Sequence, residues 1–204
     1  MIAAQLRELL LQALEHERGG VFVYQTALEC AVNDELKEEW EKYLEQTGRH
    51  VEILTNVCLS LGLDPGTMTP GCQVVHHTGK SLVLAMKMAL ATGDPAAAEL
   101  VACDCVVLAE TRDHANWQLI GECAKALAGA ESEALTAAYQ QVEDEEDEHL
   151  YHTKGWCREL WLKSLGLDAK LPPPEEERDV KSAAEAAKVQ QERKSKGAPK
   201  AMYG

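Results

Sequence analysis

At 204 residues, with 46% apolar and 26% charged side chains, the chain is long enough for one globular domain with a full core. Its formal net charge of −14 excludes the surfaces that nucleic acid and anionic lipid select, and favours cations instead. Aromatics are few (Trp 4, Tyr 5, Phe 1) and strand-like runs of β-branched residues nearly absent, so the expected class is all-α.

The N-terminus reaches Arg7 and Glu8 before any long apolar run, and no later segment approaches the roughly 18 uncharged residues of a membrane span. Seven cysteines form no C-x-x-C pair and fall mostly among apolar residues, a pattern of reduced core thiols rather than of disulfides or zinc; Cys103 and Cys105 are poor ligand candidates. A soluble, unexported, cytoplasmic protein is expected.

In chain order, helix A is predicted over 2–32, and Asn33 or Asp34 caps helix B, which runs to about residue 61 before Gly62, Asp64 and Pro65. A Gly-, Thr- and Pro-rich connection over 65–80 leads to a short apolar crossover helix over 81–91. Gly93, Asp94 and Pro95 then start helix C, which runs to about 128, and after Gly129 helix D runs to about 165. The long connection between B and C is what an up-down-down-up bundle requires. The expected domain is 1–166, followed by a C-terminal tail over 167–204. This tail opens on Pro172-Pro173-Pro174 and Glu175-Glu176-Glu177, and carries too few large apolar residues for a core of its own. It is expected to wrap the bundle or stay mobile, and the bundle to fold without it.

The two halves are similar at an offset of 93 residues. Glu17, Gln25, Glu29, Cys30 and Ala31 match Glu110, Gln118, Glu122, Cys123 and Ala124, with Tyr24 answered by Trp117. The second helix of each half then offers Thr47-x-x-His50 and Glu146-x-x-His149, six residues out of step, as in a duplicated helical hairpin.

Helical spacing places Leu36, Trp40, Tyr43, Thr47, His50, Leu54, Val57 and Leu61 on one stripe of B, and Leu135, Tyr139, Val142, Glu146, His149, Thr153, Trp156 and Leu160 on one stripe of D. Helix A gives Leu6, Leu10, Ala13, Glu17, Tyr24 and Leu28; helix C gives Leu100, Cys103, Val107, Glu110, Trp117 and Ala124. Each seam is apolar except near its middle. There three helices carry Glu17, Glu110 and Glu146, and B carries Gln46 and Thr47. Buried charge is costly unless paired or metal-bound, and residues three apart share a face, so Glu146 and His149 can reach one cation. Either histidine alone is most simply a hydrogen-bonded core residue. Together with three seam carboxylates, His50 and His149 point to a metal centre, with Asp113 one turn from Glu110 as a further oxygen donor and His114 as a ligand or its neighbour.

These features resemble the ferritin-like carboxylate-bridged superfamily, specifically its rubrerythrin-like and stress-induced bacterial branches, over about residues 2–165. The resemblance rests on Glu17-x6-Tyr24, His50, Glu110-x-x-Asp113 with Trp117, and Glu146-x-x-His149. It implies a four-helix bundle holding two ions of iron or manganese, with zinc also compatible, on Glu17, His50, Glu110, Glu146 and His149, with Asp113 supplementary. It implies redox chemistry on a small oxidant, dioxygen or peroxide, in a monomer or small homo-oligomer. One departure is Thr47, where the family has a bridging Glu. A lone metal, an asymmetric pair, or a non-catalytic bundle with a vestigial site, acting in stress response or interaction, therefore stays open.

Tyr24 and Trp117 read as core packing. Glu143-Asp144-Glu145 and the charges around them read as a solvated face, and His16, His76, His77 and His152 as residues outside the seams. Gly19 and Gly20 cost about 1 kcal/mol each relative to Ala inside a helix, which either close helix approach or space beside Glu17 for a small ligand would explain.

Overall fold

The computed structural model describes residues 3–197, with side chains to residue 194; positions 198–204 of the tail, residue 1, and residue 2 at the expected start of helix A lie outside the described residues. The chain is all-helical, with no strand among the described residues: α1 (Ala4–Cys30), α2 (Asp34–Ser60), α3 (Pro70–Leu90), α4 (Pro95–Ala126), α5 (Ala130–Ser164), α6 (Pro174–Glu177) and α7 (Ala183–Gly197). Local chemistry fixes the starts. The Asn33 side chain accepts from the Leu36 N–H, and Asp94 accepts from the Ala97 N–H ahead of Pro95 at the first helical position. Gly129 stands at φ 72°, in the left-handed region, between α4 and α5.

α1 packs beside α2 and α4, α4 beside α5, and α5 beside α2, so the four long helices close on one another as a bundle. α3 lies outside this set, against α1 and α4. It is a 21-residue helix rather than the short crossover expected over 81–91. The signal for its true start is Thr69-Pro70: the Thr69 hydroxyl caps the Cys72 N–H and proline occupies the first turn, a pattern submerged in what reads as loop composition. His76 and His77 therefore sit on a helix, and His76 Nδ1 lies 2.7 Å from Glu15 Oε1 on α1.

α3 also explains a discrepancy on α4. The expected stripe there is narrow, but Ala98, Ala102, Cys105, Val106 and Ala109 are buried as well, because α4 covers α1 and α5 on one side and α3 on the other. Gly19 and Gly79 meet where α1 crosses α3: a Cβ built on Gly79 would lie 3.6 Å from the Gly19 Cα. Close approach is thus the role of Gly19. Gly20 backs onto α2, where a Cβ would lie 3.2 Å from Thr47 Cγ2.

The tail is docked as far as it is described. Glu175 is buried against α5, where Arg158 binds it with two hydrogen bonds of 2.6 and 2.7 Å, and Arg193 reaches the fully buried Glu159 at 2.7 Å. Val180, Ala186 and Val189 form a small apolar cluster with Tyr151. The sequence shows few apolar residues there because the docking is done mainly by charge.

The interior has two apolar zones. One gathers Leu10, Leu14, Leu54, Ile120, Leu135 and Val142; the other gathers Tyr24, Trp40, Tyr43, Ala102, Val106 and Trp156. The polar seam residues lie at intermediate positions on the same helices.

Candidate metal centre

α1 carries Glu17, α2 His50, α4 Glu110 and Asp113, and α5 Glu146 and His149; all six are between 0 and 4% exposed. Glu146 occupies the middle. Its Oε1 lies 3.1 Å from His50 Nδ1 and 3.7 Å from His149 Nδ1, and neither of its oxygens has a hydrogen-bond partner. Ligand atoms of Glu17, His50 and Glu146 lie within 4.8 Å of one another, and so do those of Glu110, Glu146 and His149. Two three-residue groups thus share one carboxylate.

The two histidines are oriented alike. His50 Nε2 donates to Glu145 Oε2 at 2.8 Å, and His149 Nε2 donates to Gln46 Oε1 at 2.9 Å, which turns both Nδ1 atoms inward. Gln46 therefore positions His149 instead of supplying a ligand carbonyl of its own. Glu145, assigned by sequence to a solvated face, is held by Arg49 at 2.8 Å and is the partner of His50. Periodicity could not find it, because it lies at the edge of the seam and is one acid in a run of acids.

The two outer glutamates are pinned reciprocally. Tyr24 Oη donates to Glu110 Oε1 at 2.9 Å, and Trp117 Nε1 donates to Glu17 Oε1 at 2.7 Å. Each aromatic stands seven residues after one glutamate and binds the other, as a two-fold relation between the halves requires. In each glutamate the remaining oxygen, Glu110 Oε2 or Glu17 Oε2, is buried without a partner. Tyr24 and Trp117 are core residues, as read from sequence, but they also hold these carboxylates; the 93-residue repeat was the available signal.

Burial governs the electrostatics. It pushes the Glu146 carboxyl up to about 7, with Glu17 and Glu110 adding and the approach of His50 opposing. Burial, with Glu17, Glu146 and Glu110 facing it, drives Asp113 well above the usual carboxylate range. Burial would lower the His50 imidazole, but Glu145, Glu146 and Glu17 together push it up to about 12. Burial would raise Glu110, yet His149 and Tyr24 hold it below its ordinary value. Asp113 faces the cluster with Oδ1 unpartnered but belongs to neither group of three.

Buried acceptors without donors are rare in folded proteins and cost roughly 1–3 kcal/mol each, more when charged. Five carboxylate oxygens of this kind, on Glu17, Glu110, Asp113 and the two of Glu146, converge beside an inward-facing imidazole nitrogen of His50. Cations at the two groups of three would partner the free oxygens of Glu17, Glu110 and Glu146, so the residues present fit a metal.

The other histidines lie elsewhere. His16 Nε2 donates to the Ala109 carbonyl at 3.0 Å; His114 contacts Gln118 and Asp147; His152 contacts Glu39 and Tyr43 with its Nδ1. His114 is therefore not among the grouped ligands. All seven cysteines are free, and none belongs to either group. No described helix is long and apolar enough to cross a membrane.

Comparison with protein families, with curated proteins and with solved structures finds no match to this chain.

Proposed function

We propose that the protein is a ferritin-like, carboxylate-bridged dinuclear metal protein, binding two iron or manganese ions and acting on dioxygen or peroxide. The observation that carries this reading is Glu146: a buried carboxylate with both oxygens unpartnered, common to two groups that each add one glutamate and one imidazole. Glu17 with His50 would hold one ion, Glu110 with His149 the other, and Glu146 would serve both. Asp113 supplies a further oxygen or a proton at Oδ1. Carboxylate and imidazole ligation suits Fe, Mn and Zn; redox function selects the first two.

Bound iron or manganese would contribute the one-electron steps that these side chains lack. The chain's own residues do the rest. Tyr24 and Trp117 fix the outer carboxylates, Glu145 and Gln46 fix the imidazoles, and the apolar zones keep bulk water from the charges. Seven free thiols, five of them buried, suit a reducing compartment such as the cytoplasm. A monomer or small oligomer is expected, without a mineral core, since α3 on α1 and α4 and the tail docked on α5 would obstruct ferritin-type packing.

A second reading has its own observation. Thr47 withholds the second central carboxylate, and Arg49, Glu145 and His50 form a chain of opposite charges that neutralises part of the seam without metal. On that reading the bundle is a non-catalytic interaction or stress-response module. Elemental analysis of the purified protein, with an anaerobic Fe(II) titration followed by exposure to dioxygen and to peroxide, decides between them. Between one and two ions per chain with oxidation of bound Fe(II) is expected. A content near zero that Fe(II), Mn(II) and Zn(II) fail to raise refutes the metal reading, and bound Fe(II) inert to both oxidants favours the non-catalytic one.

A further inference from the structure

A cleft of about 570 Å³ lies between α1, α3 and α4. Glycines at 19, 20, 71 and 79 open it, and Val23, Val75 and Leu82 give it an apolar wall. Its size falls in the range of small-molecule sites, roughly 300–1,000 Å³. Part of its wall is the backbone that carries the candidate ligands: His16 precedes Glu17, Ala109 precedes Glu110, and Gly20 lies one turn beyond Glu17.

The polar groups in the wall identify the ligand class. Three are already engaged: Gln12 donates to Glu8, Thr78 donates to the Val74 carbonyl, and His16 donates to the Ala109 carbonyl. The fourth, Arg112, has no acidic partner among the described residues. Although the chain contains 34 Asp and Glu residues, none lines this cleft, whereas the neighbouring cleft on the other side of the Gly19–Gly79 crossing is lined by Glu15 and Glu29. A planar guanidinium in the lining of an otherwise apolar groove matches a carboxylate with a hydrocarbon chain.

We propose that this cleft binds an aliphatic monocarboxylate, its headgroup on Arg112 and its chain along Gly19, Gly20 and Val23. As a binding site the cleft stands on this geometry; as the substrate site of the metal centre it rests on the function proposed above.

The test is calorimetric titration of the full chain, metal-loaded and after chelation, with decanoate, decanol and decyl phosphate. Decanoate should bind saturably to both forms and at least about tenfold more tightly than decanol, the gain expected of one charge-assisted contact. Arg112→Gln, an exposed position, should erase that difference while leaving decanol affinity unchanged. Thr78→Trp, which fills the cleft from α3, should abolish binding of all three, with circular dichroism confirming the fold of each variant. Equal affinity for decanoate and decanol, no saturable binding, or an unaltered Arg112→Gln variant overturns the proposal; tighter binding of decyl phosphate overturns the carboxylate assignment. Metal content is read on the same samples: two bound ions without decanoate binding refute the cleft alone, and decanoate binding by a protein that Fe(II), Mn(II) and Zn(II) fail to load refutes the metal centre alone.

Discussion

Replacing Glu146 with Gln should affect metal binding and stability in opposite directions. The side chain keeps its shape but loses the charge that Glu17 and Glu110 oppose. In the metal-free protein the folded-state value near 7 stands about 2.5 units above the ordinary 4.5. Each unit is worth about 1.4 kcal/mol, so the ionised carboxylate costs the apo fold on the order of 3 kcal/mol above pH 7. The sign follows from proton uptake: across pH 4.5–7 the folded state binds more protons than the unfolded, so apo stability falls as pH rises. Glu146→Gln should remove this decline and raise the apo thermal midpoint at pH 8 by about 6–12 °C, taking roughly 2–4 °C per kcal/mol for a chain of this size. Metal content should fall below two per chain, because the shared ligand is gone. Urea and thermal unfolding of chelated protein at pH 5 and pH 8, alongside metal titration, measure both effects. A variant that is less stable than wild type when metal-free, yet still binds two ions, would refute the central role of Glu146.

His149→Ala should lower metal affinity far more than His152→Ala, since only His149 contacts Glu110 and Glu146; competition with a chromophoric chelator measures both, and equal losses would contradict the site. Thr47→Glu should tighten binding at least several-fold in the same assay, by restoring a second central carboxylate beside Gly20. Arg158→Ala should cost about 3–5 kcal/mol in urea unfolding, because Glu175 is left buried without its cation while Glu159 keeps Arg193. Deleting residues 172–204 should leave the helical signal of the remaining chain intact but lower its thermal midpoint by several degrees, as Arg158 and Tyr151 lose their partners.

The elements legible in the sequence were those whose signals are local. Asn33, Asp94-Pro95 and Gly129 mark helix ends through capping and backbone preference, and the structure places the ends there. The seams of α2 and α5 were legible because each helix buries one stripe. α4 was less so, since burial on two sides leaves no single period to read. α3 was cut short because Gly71, His76, His77 and Gly79 dilute its helical pattern; the geometry that makes Gly79 useful, contact with Gly19, is a tertiary fact. At the site, residue type and spacing picked out Glu17, His50, Glu110, Asp113, Glu146 and His149, and the structure gathers five of them into two groups of three that share Glu146, leaving Asp113 outside both. The groups that orient them were hidden. Glu145 and Gln46 act across helices, on His50 and His149 respectively, whose directions no one-dimensional pattern reveals.

The crossed bonds from Tyr24 to Glu110 and from Trp117 to Glu17 make the two hairpins depend on each other, and Thr47 makes them unequal. Each glutamate is kept in place by an aromatic from the opposite half, so neither hairpin can complete its own ligand, and a half-chain needs a counterpart. Two copies of the 95–164 hairpin, paired about the same axis, would bring two sets of Glu110, Trp117, Glu146 and His149, a complete centre with two central carboxylates. Two copies of the 4–60 hairpin would bring Thr47 twice and no central carboxylate at all. The present chain stands halfway between these pairings, with the second hairpin supplying the shared ligand for both.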